Sequence, residues 1–290
     1  MLSAIVLACY LACAAWLASS VYDRRAARPK EAQHGEIPRD RAGEHAAHGR
    51  RVAGLALGVI ALVLHAILLW RVLFDRPVLA FTIAETASLI GWPIGLIAIA
   101  LSGLRPRFAG IGAVLTLVAG VVAATTVEGS GGAPLVDGPS WEIGAHIVLS
   151  TLAYALITIA VALTIALRLL DRRLRSRKPL GWLTALPSVE ALESAAFQAL
   201  AAGFAVLTLA LFSGFVFVDN LFSNEQHLLH KTVLSCLAWA VFGILLFGRW
   251  RFGWRGRTAT NWALSGFALL GLAYFGSKIV LESILGRHWG

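Results

Sequence analysis

Four histidines, His65, His146, His227 and His230, lie within or beside long apolar stretches of a 290-residue chain. An ionisable group at the centre of a membrane helix costs about 2.5–3.5 kcal/mol on insertion scales, so a membrane-depth imidazole calls for a reason. The chemistry open to it is axial ligation of haem iron, binding of another metal, proton relay, or an interhelical hydrogen bond. For one histidine alone the hydrogen bond is the simplest account. Six acids, Glu85, Glu128, Asp137, Glu142, Asp219 and Glu225, fall on the same side as these histidines. Together they keep the ligand and relay readings open, although solvated loop charge accounts for most of the acids. The other histidines are His34, His45 and His48 in one polar segment and His288 near the C-terminus.

What must position these residues is a membrane-spanning scaffold. The chain is 58% hydrophobic and 14% charged, with a mean hydropathy of +0.74, which excludes a soluble domain. Apolar runs near 2–22, 52–73, 81–102, 108–127, 141–167, 197–218, 232–247 and 260–281 each approach the length that crosses a hydrocarbon core about 30 Å thick. Twenty of the 25 Lys and Arg fall in every second connection: Arg24–Arg51, Arg105–Arg107, Arg168–Lys178 and Arg249–Arg257. The positive-inside rule then predicts an all-α polytopic integral membrane protein with eight transmembrane helices, N-out/C-out, in a bacterial inner membrane. In that topology His65, His146, His227 and His230 all fall near the outer face.

The net charge of +9 belongs to these cytoplasmic loops, and no basic stripe interleaved with exposed aromatics points to nucleic acid. The reading is a single transmembrane domain over 1–290. Its core covers about 52–281, and the helix 2–22 and a polar, mobile loop 23–51 are appended. Residues 1–22 lack a basic n-region and read as a retained N-out helix rather than a signal peptide. Cys9, Cys13 and Cys236 form no Cys-x-x-Cys pair and no zinc spacing, and read as small packing residues. Absence of Cys-x-x-Cys-His excludes a c-type cytochrome. Trp92, Trp141, Trp182, Trp239, Trp250, Trp254 and Trp262 lie near helix ends, where interface-belt aromatics lie. Gly112–Gly120 and Gly203–Gly214 carry small residues at helix-packing spacing.

The second half resembles a family. His146-x3-Ser150-x3-Tyr154 resembles the helix start of the cytochrome c assembly (CcsA/ResC-like) membrane proteins. The order that follows fits as well: Leu192-Glu193, Gly203-Phe204 to Ser213-Gly214, Lys231-Thr232 to Trp239, Gly253-Trp254-Arg255-Gly256 and Gly266-Phe267. With Asn220–Ser223 and Ala273–Ser277 the chain looks most like the YpjD/HemX-type branch, over about Trp141 to Ser277. The first four helices match mainly in number and in His65.

The resemblance implies a non-enzymatic protein that binds or hands on haem b, held non-covalently at the outer face, in support of cytochrome c maturation by other membrane proteins. It implies His65 and His146 as axial ligands of the iron and His227 or His230 as exchangeable alternates, with Lys231 available to a propionate. Three departures stand out: the loop Asp219–Lys231 has no Trp where the family has a Trp-rich platform, Gly248 and Arg249 occupy the stretch of a family histidine, and the family's late histidine near the final outer turn is missing unless His288 substitutes. They favour an alternative, a haem-free accessory or scaffold subunit regulating a partner enzyme or transporter. An ion or proton pathway through His65, Glu85 and His146 would need polar groups in the inner halves of the helices, which are almost wholly apolar.

Overall fold

The computed structural model describes residues 1–26, 41–74, 82–126, 141–176, 183, 186–217 and 226–276. Among them there is no strand; the chain is a series of helices: α1 (Leu2–Ala26), α2 (Arg41–Phe74), α3 (Ile83–Leu104), α4 (Ala109–Ala124), α5 (Trp141–Arg175), α6 (Val189–Phe217), α7 (Gln226–Phe252) and α8 (Gly256–Gly271). Seven of them, α4 together with the 3-10 turn Pro106–Phe108 that leads into it, are long and apolar enough to cross a membrane. The eighth predicted span is α8, whose 16 α-helical residues run directly into a π-helical turn, Leu272–Gly276. The protein is thus an all-α polytopic membrane protein.

Helices do not stop where the apolar runs stop. At 1.5 Å per residue the 34-residue α2 and 35-residue α5 are each about 50 Å long, well beyond the hydrocarbon core. The predicted polar loop 23–51 gives up its last eleven residues to α2, and His45 and His48 are helical. Arg168, Arg172, Arg173 and Arg175 likewise extend α5. Ala, Arg and Leu are strong helix formers, so these stretches keep helical winding after hydropathy has fallen.

The helices form two compact units, divided close to Val72, Thr86, Glu128, Pro179 and Pro187. The first holds α1, α2, α4 and α3 from Ala87 onward. In α1, Val6, Tyr10, Cys13 and Leu17 recur at spacings of three and four and are fully buried, which makes one face. That face meets α4, whose Ala109, Ala113, Ala119, Gly120 and Ala123 present almost no side chain. The approach is close: a Cβ at Gly120 would lie 2.7 Å from Tyr10 Cβ. The predicted small-residue packing of Gly112–Gly120 is realised here, with backbones brought together by the absence of side chains.

The second unit is a bundle in which α5 packs on α6, α6 on α7, α7 on α8 and α8 on α5. Ile157, Val161, Leu207, Phe242, Leu245 and Leu270 are among its buried core. Gly203 allows α6 against α5, since a Cβ there would sit 2.8 Å from Ile157 Cγ1 and 3.2 Å from its backbone nitrogen. One end of this unit gathers Arg172, Arg173, Arg249, Arg251, Arg255 and Arg257; the opposite end carries His146 and the start of α7.

Candidate functional site

His146, Ser150 and Tyr154 recur every four residues and so lie along one stripe of α5. Each reaches a different partner in the second unit. His146 Nδ1 lies 2.9 Å from Ser213 Oγ on α6, and Ser150 Oγ lies 3.4 Å from His146 Nε2. Ser213 Oγ also donates to the Ala210 carbonyl at 2.8 Å. Gly214 keeps the far edge of the ring clear, for a Cβ there would stand 3.3 Å from His146 Cε1. The imidazole is half-buried, and Ser213 is buried beneath it.

One helical turn deeper per step, the stripe continues to α8. Tyr154 donates its hydroxyl to the Leu270 carbonyl at 2.8 Å, immediately before the winding changes from α to π. π turns inside helices are rare and gather at functional sites. Tyr274, within that turn, meets Tyr154 edge-on at 6.4 Å between ring centres and shares a 2.6 Å hydrogen bond with Thr86 Oγ1. The Lys231 ammonium stands 5.9 Å from the Tyr274 ring centre, which puts a cation at the His146 end of the bundle.

His65 belongs to the first unit and is fully buried. Tyr10 OH lies 3.2 Å from its Nδ1 and Ser88 Oγ 2.9 Å from its Nε2, so both ring nitrogens are engaged by hydroxyls from two neighbouring helices. Tyr10 fits because Gly95 has no side chain: a Cβ there would be 2.8 Å from the phenol oxygen. A neutral imidazole has one donor and one acceptor, and this arrangement uses both.

His227 and His230 fall in the first turn of α7, at the His146 end, and their side chains lie outside the described residues. Of the acids, Glu85 is buried and forms a capping box at the start of α3. Its carboxylate accepts from the Thr82 N–H at 2.8 Å, and its own N–H donates to Thr82 Oγ1 at 3.2 Å. Glu142 sits half-buried in the first turn of α5, and Glu128, Asp137, Asp219 and Glu225 lie outside the described residues. No group of three or more His, Cys, Asp or Glu that could hold a metal ion gathers among the described residues.

At the opposite end of the second unit stands an arrangement hidden among the arginines of the sequence. Glu193 Oε1 accepts from Arg249 Nη1 at 2.5 Å and from Arg255 Nε at 2.7 Å, tying α6 to the end of α7 and the start of α8. Arg249 also lies 4.6 Å over the Phe197 ring. The carboxylate raises the Arg255 guanidinium above the usual arginine range, first by hydrogen bonding and then by charge. In the sequence Leu192-Glu193 stands only as a fragment of the family resemblance, and nothing in its spacing points to Arg249 and Arg255.

The fold and this site define a polytopic helical membrane protein with a polar histidine centre at one end of a four-helix unit. The chain belongs to the cytochrome c assembly family: the family model described as Cytochrome C assembly protein matches residues 53–285. It is 38% identical over 139 residues to the inner membrane protein YpjD of Escherichia coli (strain K12), covering 48% of this chain and 52% of that protein. An uncharacterized 28.8 kDa protein of Azospirillum brasilense is 38% identical over 159 residues, 53% of this chain and 58% of that one. The cytochrome c biogenesis protein CcsA of Microcystis aeruginosa is 25% identical over 104 residues, 36% of this chain and 32% of that protein. The chain thus spans about half the length of the first two and a third of the last. No solved structure matches it.

Proposed function

We propose that this protein is an inner-membrane haem-handling protein that supports cytochrome c assembly, with haem b held non-covalently as cargo at the His146 end. Family membership supports the setting, and the relatives named as an inner membrane protein and a cytochrome c biogenesis protein support the location and process. The single observation that carries the site is the contrast between two histidines. His65 has a hydroxyl within 3.2 Å of each nitrogen, whereas His146 has one close partner at 2.9 Å and a distant one at 3.4 Å. His146 Nε2 therefore fits an axial ligand, and His65 fits a packing hydrogen bond. His227 and His230, from the same end of the bundle, are the source of a second axial ligand, and Lys231 is the cation for a propionate. With the basic end in the cytoplasm, this site faces outward. Haem supplies the redox-active iron; the chain binds and orients it, makes no covalent bond, and passes it to membrane-protein partners.

The competing reading is a haem-free accessory subunit, favoured by the absence of Trp from Asp219–Lys231. A reduced-minus-oxidised visible spectrum of the detergent-purified protein separates the two. Near-stoichiometric b-type bands, lost in His146→Ala and retained in His65→Ala, are expected. A parent that stays colourless after expression with added haem overturns the haem reading in favour of the accessory subunit.

A further inference from the structure

We infer that Ser213 and Ser150 act on the two nitrogens of His146 in opposite senses, Ser213 fixing the tautomer that exposes Nε2 and Ser150 competing for the lone pair so exposed. This rests on the haem reading for its consequence and on hydrogen-bond geometry for its basis. A serine hydroxyl has one proton. That of Ser213 goes to the Ala210 carbonyl at 2.8 Å, so toward His146 the oxygen is left with lone pairs only. The 2.9 Å contact with Nδ1 must then be an N–H donation from the ring. The neutral ring has one proton, so Nε2 carries a lone pair, and no proton has to leave when iron arrives. A ring N–H held by an outer partner is the usual way a ligating imidazole has its tautomer and plane set.

Ser150 completes the device. Its hydroxyl stands 3.4 Å from Nε2, beyond a good hydrogen bond, on the same helix one turn along. A serine in a helix has an alternative acceptor in the carbonyl four residues back, so this proton can turn away from the ring at small cost. In the unloaded protein Ser150 shields the lone pair from other partners; in the loaded one it yields. Such a weak competitor suits a site that must release what it holds. Gly214 keeps the Cε1 edge of the ring free of any side chain. Ser213 and Ser150 are positioning residues, acting on the cargo through His146.

The test uses the full-length protein in detergent, labelled with ¹⁵N-histidine, with the His146 signal identified by its loss in His146→Gln. The parent is expected to show Nδ1 protonated and Nε2 bare, Ser213→Ala a mixture of tautomers, and Ser213→Thr, which keeps a hydroxyl, the parental pattern. Titration with ferric protoporphyrin IX is expected to show about 10–100-fold weaker binding in Ser213→Ala, and tighter binding with slower release in Ser150→Ala. A parent ring protonated at Nε2, or a Ser150→Ala variant weakened like Ser213→Ala, overturns the inference. If the parent shows the Nδ1–H tautomer, Ser213→Ala abolishes it, and no variant binds the porphyrin, the haem reading falls while the assignment of Ser213 stands.

Discussion

Gly248 and Trp254 share one volume: a Cβ at position 248 would lie 2.4 Å from Trp254 Cε3. The chain turns back between α7 and α8 so that the indole lies across the glycine. Trp254 N–H reaches the Gly248 carbonyl at 3.2 Å, and Gly253 N–H reaches that of Arg249 at 3.1 Å. Gly253 (φ +66°) and Gly256 (φ +58°) supply the left-handed conformations the turn needs. The Gly-Trp-x-Gly motif is therefore a lock between helices, and the missing family histidine stands next to a position that cannot carry a side chain here.

Gly248→Ala should accordingly destabilise the protein by about 1–3 kcal/mol through overpacking, and Gly253→Ala by about 1–2 kcal/mol through the left-handed backbone. Thermal unfolding in detergent, followed by near-UV circular dichroism on the tryptophans, measures both. An unchanged transition in Gly248→Ala would show that the indole is free to leave.

Glu193→Ala removes the acceptor shared by Arg249 and Arg255. The loss should be about 2 kcal/mol, less than for a fully buried pair because both guanidiniums retain contact with solvent. Protease sensitivity of the α7–α8 turn should rise in parallel. Arg255→Lys should recover little, since a lysine cannot present the guanidinium Nε.

Much of this was legible in the chain, and what was not has identifiable causes. Hydropathy marks where lipid lies rather than where helices end, so the eight spans could be placed while the polar extensions of α2 and α5 were not. The His146, Ser150, Tyr154 stripe follows from spacing alone. Its partners Ser213 and Leu270 lie 67 and 116 residues away from His146 and Tyr154, and only packing brings them in. The tryptophans divide in the same way. Trp141 and Trp250, 72% and 81% exposed, fit the predicted belt. Trp92 instead donates to the Leu62 carbonyl at 3.0 Å, and Trp254 and Trp262 pack on the core of the second unit. Which way an end-of-helix indole faces depends on whether a glycine such as Gly248 makes room for it.

Tyr154→Phe keeps the ring and removes the hydroxyl bonded to Leu270. A net cost of about 1 kcal/mol is expected, with faster hydrogen exchange across Leu272–Gly276 than across the rest of α8. Equal exchange in parent and variant would mean that the π turn holds without the tyrosine.

The buried Tyr10–His65–Ser88 triad gives the sharpest contrast with His146. Tyr10→Phe and Ser88→Ala each leave one imidazole nitrogen of a fully buried residue without a partner, at a cost of about 1–3 kcal/mol apiece. The two changes act on the same ring, so they should not be additive. Once one hydroxyl is gone the ring can settle in the tautomer that suits the other. Removing the second then leaves both nitrogens without a partner whatever the tautomer, and the double variant should lose more than the sum of the singles. His65→Phe, which removes both polar nitrogens from an apolar core, should recover part of that loss in the double-variant background. Denaturation midpoints of the parent and the four variants decide the matter, and porphyrin binding measured alongside should stay within a few-fold of the parent. Additive losses would show that the two hydroxyls do not act through one ring, and loss of the porphyrin in step with stability would return His65 to the set of iron ligands.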